Sequence, residues 1–398
     1  MATLKIQPVR LAFAAAFLGL CGAGPALSDE KTEGEKPAKV TYKDGAATFE
    51  SENLQISLTN RIQFRLTDEI PDASVRLSGT AQKGDSRASW RLRRAKTRLA
   101  GWFWRPELRF ELQLSWAGPE PGASAQTALE DAMITWDVSK SRKFEISFGQ
   151  FKVPLGRQEL TSSGRQQFAD RDIFSFEFTR GRDLGAQVEG ALAKGKLSYM
   201  AGVFNGNAAS RLQNDNAKFQ YNARAVFEPW GSAGYSEGDF ESKDKPLLAI
   251  AVQFEQNDQA YTSAVSDNLK TTLWGGDVSF KYKGFSAFAE RLARNRRPQP
   301  AGVRDPSQPI FDTAPFHSNG WHGQAGYFLK RDKVEASMRY ATYDPSDRVR
   351  NNDRTEVGGG LNYFVNKHLL KVQMDFRQIE SSDHTKSKEL RIQSQVVF

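Results

Sequence analysis

Cysteine and histidine are scarce in this 398-residue chain: there is one Cys and there are four His. Cys21 lies inside an apolar leader with Leu20 before it, where a lipidated cysteine would need a small residue. The rest of the chain has no cysteine, which excludes a disulfide framework and thiol catalysis. His317, His322, His368 and His384 have neither metal-ligand nor Ser/His spacing, and His322, between Trp321 and Gly323, reads as a plain strand residue. No glycine-rich phosphate loop sits on a strand–helix turn, and no GxSxG occurs. No run approaches the ~20 apolar residues of a membrane helix. Charge of one sign is also in short supply. The formal balance is +8 at pH 7, an excess compatible with ordinary solubility and pointing to no nucleic-acid partner.

The N-terminus reads as an export signal over residues 1–28. Lys5 and Arg10 form its basic part, Leu11 to Leu20 its apolar part, and Ala26-Leu27-Ser28 a small-x-small cleavage site. A mature chain would then start near Asp29, with a short polar segment over 29–52 expected to stay on the periplasmic side.

From residue 53 onward the dominant feature is a period of two. In NLQISLTNRIQFRLTD, Leu54, Ile56, Leu58, Ile62, Phe64 and Leu66 share one parity, while Gln55, Arg61, Gln63 and Arg65 share the other. A helix would scatter that apolar set, so the segment is a strand. The pattern recurs, as in ELRFELQLSW (Glu107 to Trp116) and PLLAIAVQFEQ (Pro246 to Gln256), and predicts about sixteen strands. Connections alternate between long and short. The exception is 229–245, a long polar link where a short turn is expected. One parity is rich in Trp, Tyr, Phe and Leu; the other carries Arg, Lys, Glu, Asp and Gln. A soluble sandwich would need a second apolar set to fill its interior, and none is evident. The expectation is therefore an all-β, closed antiparallel transmembrane barrel of about sixteen strands over 53–398, wet inside and lipid-facing outside. The terminal Phe398 continues the apolar parity of the last strand and resembles an outer-membrane assembly signal. Asn60 breaks the apolar face of the first strand, marking either the membrane boundary or a subunit contact.

The third long loop, about 152–182, is the candidate constriction. It carries Lys152, Arg157, Arg165, Arg171, Arg180 and Arg182 against Glu159, Asp170, Asp172 and Glu177. Cations in a narrow lumen attract anions, and arginine suits phosphate through bidentate hydrogen bonds. Strict alternation places Arg94, Lys96 and Arg98 inside, and Arg91 and Arg93 near the outer rim. Acidic residues, Asp131 and Glu111 among them, share the lumen parity, so a mixed lumen is expected.

Several stretches resemble the phosphate-selective porins O and P. They include RIQ after TFESEN, RRAKTRLAG (Arg93 to Gly101), ALEDAMITW (Ala128 to Trp136), GQFKVPLG (Gly149 to Gly156), ELTSS (Glu159 to Ser163), GRDLG (Gly181 to Gly185) and GWHGQAGYFL (Gly320 to Leu329). The resemblance implies a homotrimeric sixteen-stranded channel of the bacterial outer membrane that takes up anions, phosphate among them, with no cofactor. It carries the basic role to Arg93, Arg94, Lys152 and Arg171, and the acidic role at the constriction to Asp131. Lys96, Arg98, Arg157 and Arg165 complete the expected anion path. The other readings are a general or carbohydrate-type diffusion porin, favoured by aromatic residues at the constriction, and, in different classes, a barrel enzyme or an adhesin.

Overall fold

The computed structural model describes residues 38–71, 86–117, 129–209, 213–214, 216, 218–241, 244–260, 268–299, 314–382 and 385–398. The predicted leader and His384 lie outside the described residues. A hairpin of β1 (Lys39–Lys43) and β2 (Ala46–Ser51) comes first. Then follow β3 (Leu54–Pro71), β4 (Arg87–Phe103), β5 (Arg105–Ser115), β6 (Leu129–Asp137), β7 (Glu145–Lys152), β8 (Arg182–Leu192), β9 (Leu197–Phe204) and β10 (Gln220–Phe227). The second half comprises β11 (Leu247–Ala260), β12 (Asn268–Tyr282), β13 (Phe285–Gln299), β14 (Phe316–Lys330), β15 (Val334–Asp344), β16 (Arg354–Asn366), β17 (Leu370–Ser381) and β18 (Lys386–Val397).

From β3 onward each strand pairs antiparallel with the next, and β18 returns to pair with β3 over Ser387↔Pro71 to Val397↔Arg61. These sixteen strands form a closed barrel, as the alternation predicted. Asn60 exchanges two backbone hydrogen bonds with Phe398, which places it where β18 ends. Below that point β2 takes over the same edge of β3, pairing with Leu54 to Thr59. The segment expected to be only a polar tail therefore contributes a hairpin that covers amides left open by the end of β18.

The wall is apolar outside and polar inside. On β17, Val372, Met374 and Phe376 are 41%, 45% and 43% exposed, whereas Lys371, Gln373 and Asp375 are 0%, 1% and 2% exposed. A soluble protein would reverse these values; a barrel in lipid requires them.

Two inserts fill much of the lumen. The loop between β7 and β8 crosses it, carrying α1 (Arg157–Leu160) and α2 (Ile173–Phe178), the latter capped by Asp172 accepting from Ser175 N at 2.7 Å. Wall side chains hold the loop's backbone. Asp375 accepts from Ala169 N at 2.6 Å, Lys371 donates to Gln166 O at 2.9 Å, and Asn362 donates to Gln167 O at 2.9 Å. His322, read as a plain strand residue, is instead a clamp. Its Nδ1 lies 2.5 Å from Asp172 Oδ2, and its ring stacks on Phe174 with centroids 5.1 Å apart. A local apolar core also lies inside the barrel, against expectation: Phe174 and Phe178 of α2 pack with Phe204, Leu273, Leu292 and Tyr343 of the wall. Docking a loop against a polar wall needs some dry contact, so these few lumen positions are apolar.

The second insert is the anomalous link between β10 and β11. It enters from the short-turn end, and Glu237 accepts from Gln167 N at 2.7 Å and from Gln324 Nε2 at 2.8 Å. Phe240 packs edge-on against Phe328 and Phe364, both at 4.9 Å. The length and polarity of 229–245 are thus explained by a segment that turns inward to meet the loop.

Placing charge on the lipid face separates this arrangement from a soluble barrel. Met374→Arg should lower unfolding stability in bilayers by about 2–4 kcal/mol, measured by urea titration of tryptophan fluorescence. An unchanged midpoint would place that face in water.

Candidate functional site

The inserts leave open a cavity of about 800 Å³ between the loop and the wall made by β18 and β3 to β9, with the β1–β2 and β16–β17 turns also lining it. Nine basic side chains line it (Arg61, Arg93, Arg94, Lys96, Arg98, Lys152, Arg165, Arg171 and Arg182), against five acidic ones (Asp44, Glu111, Glu130, Asp131 and Glu189).

Two β-bulges produce the densest charge. Along β3–β4 the register runs Gln63↔Arg94 and then Phe64↔Leu92, leaving Arg93 as the extra residue. Arg93 and Arg94 consequently both point inward, 8% and 7% exposed. The bulge also reverses the parity above it, so Arg91 pairs with the inward Arg65. Strict alternation had placed Arg91 and Arg93 toward the outer rim, and the extra residue corrects both. Along β5–β6, Gln113↔Asp131 is followed by Leu114↔Leu129, and Glu130 is the extra residue. Gln113 Nε2 reaches both acids, at 2.6 Å to Glu130 and 3.0 Å to Asp131. Glu130 had no role in the sequence reading. Its signal was present, since the apolar parity of β6 shifts between Leu129 and Ala132.

Asp170 of the loop binds three guanidiniums at once. Arg65 donates to it, Arg93 lies at 2.9 Å and Arg94 at 2.8 Å. One carboxylate here meets three guanidiniums, which crowds like charge at this spot. Burial alone would push the Asp170 carboxyl up, but the guanidiniums of Arg65, Arg93 and Arg94 outweigh it and hold the group well below its ordinary range.

The other expected site residues divide into four kinds. Some are neutralised across the cavity: Lys96 reaches Glu130 at 2.5 Å, Arg98 chelates Glu111 at 2.7 and 2.6 Å, and Asp131 is chelated by Arg182 at 2.8 Å on each oxygen. Others hold the loop. Lys152 Nζ donates to the carbonyls of Glu159, Leu160 and Thr161 at 2.5, 3.3 and 3.2 Å, and Arg171 binds Glu159 at 3.0 Å while donating to three loop carbonyls. Arg157 does not reach the cavity, contrary to expectation. It lies behind the loop, 3.7 Å from Asp277 and over the Tyr235 ring, because the inward-turned part of the β10–β11 link, through Phe240, occupies that side.

Arg165 and Arg61 are different. Arg165 is exposed to the cavity, and neither has an ion-pair partner among the described residues. Arg61 Nη1 and Nη2 donate to the hydroxyls of Ser162 and Ser163, both at 3.0 Å. Gly164 permits that approach, because a Cβ there would collide with the Arg61 guanidinium. The hydroxyls beside Arg61 could not be matched to it from sequence, since a hundred residues separate them.

Residues 64–398 match the family model described as phosphate-selective porin O and P. The chain belongs to that family. Family membership makes it an outer-membrane porin, a channel rather than an enzyme. An uncharacterized protein of Aquifex aeolicus (strain VF5) is 21% identical over 281 residues, covering 64% of this chain and 64% of the relative's own length. Among solved structures, an anion-selective porin from Comamonas acidovorans is similar at a TM-score of 0.57 and 11% identity, with 86% of this chain and 99% of that one covered. The outer-membrane channel DcaP of Acinetobacter baumannii gives 0.57 at 12% identity, with 88% and 99% covered. OmpT, an outer membrane protein of Vibrio cholerae, gives 0.54 at 9% identity, with 91% and 100% covered.

Asp170→Asn would leave buried guanidiniums uncompensated and should destabilise the porin by about 3–5 kcal/mol. Arg98→Ala, at a half-exposed pair, should cost at most about 1 kcal/mol. Because Asp170 titrates below its ordinary value, its stabilisation is complete above about pH 4 and fades as pH falls further. Thermal unfolding between pH 2 and 6 checks both: Asp170→Asn should flatten the acid limb.

Proposed function

We propose that this porin conducts small anions, phosphate among them, by passive diffusion through the basic cavity. The observation that carries the reading is Arg61 and Arg165, two arginines facing the cavity with no carboxylate partner among the described residues. Surrounding cations are paired or engaged in holding the loop, so these two set the local potential. A low-dielectric wall strengthens that field and draws anions in. Guanidinium groups beside the Ser162 and Ser163 hydroxyls supply donors in the geometry an oxyanion uses.

Conduction requires release as well as entry. Glu130 and Asp131, facing the same cavity, keep the potential from becoming a trap. A carbohydrate path would present a run of aromatic faces, whereas Phe151 and Phe176 are the aromatic residues among those described that line this cavity. The proposal includes export by the predicted leader, residence in the bacterial outer membrane as a homotrimer, and transport without cofactor or energy coupling.

Reversal potentials across planar bilayers in a potassium chloride gradient should show anion preference, and added phosphate should reduce chloride current in a concentration-dependent way. Removing one uncompensated charge at Arg165→Ala or Arg61→Ala should lower the anion-to-cation permeability ratio about fivefold, roughly 1 kcal/mol of Coulomb attraction. A cation-preferring or unselective wild-type channel would overturn the reading.

A further inference from the structure

The outward face of the barrel has one feature that pore conduction does not use. Arg291 stands mid-way along β13 on the lipid-facing parity, between Ala289 and Ala293, and it is exposed. Its cross-strand neighbours are Gly276 and Trp321, and it has no ion-pair partner among the described residues. A cation at the bilayer midplane of a barrel costs about 2–4 kcal/mol, falling to about 0–1 near the headgroups. Such a residue therefore needs an anion or the interface beside it.

Two independent observations say which. Trp274, Trp321 and Tyr340 are 59%, 46% and 39% exposed on β12, β14 and β15. The Trp321 and Tyr340 rings are 5.0 Å apart. Exposed aromatic clusters of this kind mark the headgroup level of a barrel. Next, the outer wall here is indented by a shallow trough of about 400 Å³, with Gly276, Val278, Ala289, Arg291 and Trp321 among its lining. Gly276 and Arg291 share a level, while Val278 and Ala289 lie further toward the short turns. The apolar part thus runs toward the membrane interior, with the cation and the indole at its outer end. Toward the loops, Arg297 and Lys270 are paired across β13 and β12 on the same outward parity, with Asp258 as Lys270's other cross-strand neighbour.

We infer that this face is a binding site for a phosphate-bearing lipid of the surrounding leaflet. The trough takes an acyl chain, Arg291 chelates the phosphate, and Trp321 covers the junction between the two. Small residues, Gly276 and Ala289, are among those that line the trough. Guanidinium and phosphate supply the paired, charge-assisted hydrogen bonds that neither partner finds in hydrocarbon. The site faces away from the lumen, so it stands independently of the anion-conduction reading.

The test is native mass spectrometry of the full-length porin in detergent with added diphosphorylated lipid A, alongside its dephosphorylated form. The wild type should retain the phosphorylated lipid, and Arg291→Leu should weaken retention about tenfold. Arg291→Lys, which keeps the charge and loses the fork, should fall between. Single-channel conductance should stay the same in both variants, which also reports correct folding. Equal retention by Arg291→Leu, or equal binding of the dephosphorylated lipid, would overturn the assignment. So would dissociation of Arg291→Leu into smaller assemblies, which would make this face a contact between copies.

Discussion

Every backbone amide within hydrocarbon must find a partner inside the protein, and a sheet satisfies that demand only by closing on itself. The pairing of β18 with β3 is that closure here. Its consequences reach the whole molecule. Once the ring is shut, one parity of each strand faces lipid and the other encloses a polar interior. Charged residues that a soluble fold would expose, such as Lys371 and Asp375, become buried. The early end of β18 at Phe398 leaves an open stretch on β3, and the β1–β2 hairpin closes it.

A wide wet lumen would pass solutes with little discrimination. The two inserts narrow it, and buried charge holds them in place: Asp170 under three arginines, Asp172 against His322, Glu237 under the loop's backbone. Because the β10–β11 link fills the side near β14 and β16, the open passage is displaced toward β18 and β3 to β9. Selectivity is thus decided by the residues of one half of the barrel. Charges on the other half anchor the loop instead of lining the path, as Asp277 and Arg339 illustrate.

Bulges have an outsized effect on such a wall. One extra residue turns two consecutive side chains to the same face, giving Arg93–Arg94 on one strand and Glu130–Asp131 on another. These doubled positions set cations and carboxylates close together around the cavity. Regular alternation would allow one inward charge for every two residues.

The barrel was legible from the order of residues alone, because a period of two with one greasy parity is a local property repeated along the chain. The strand number and the long and short connections followed from it, as did most lumen-facing charges, whereas the inward loop was expected from its place as the third long loop of a sixteen-stranded porin. Even the bulges left a trace in the shifted apolar parity between Leu92 and Ala95 and between Leu129 and Ala132. Which cations remain free was decided only in three dimensions. Arg61 meets Ser162 and Ser163, Arg157 turns behind the loop, and three arginines share Asp170, each through contacts between residues far apart in sequence. Alternation reports which face a side chain takes; what it meets there depends on how two inserted segments pack across the same lumen.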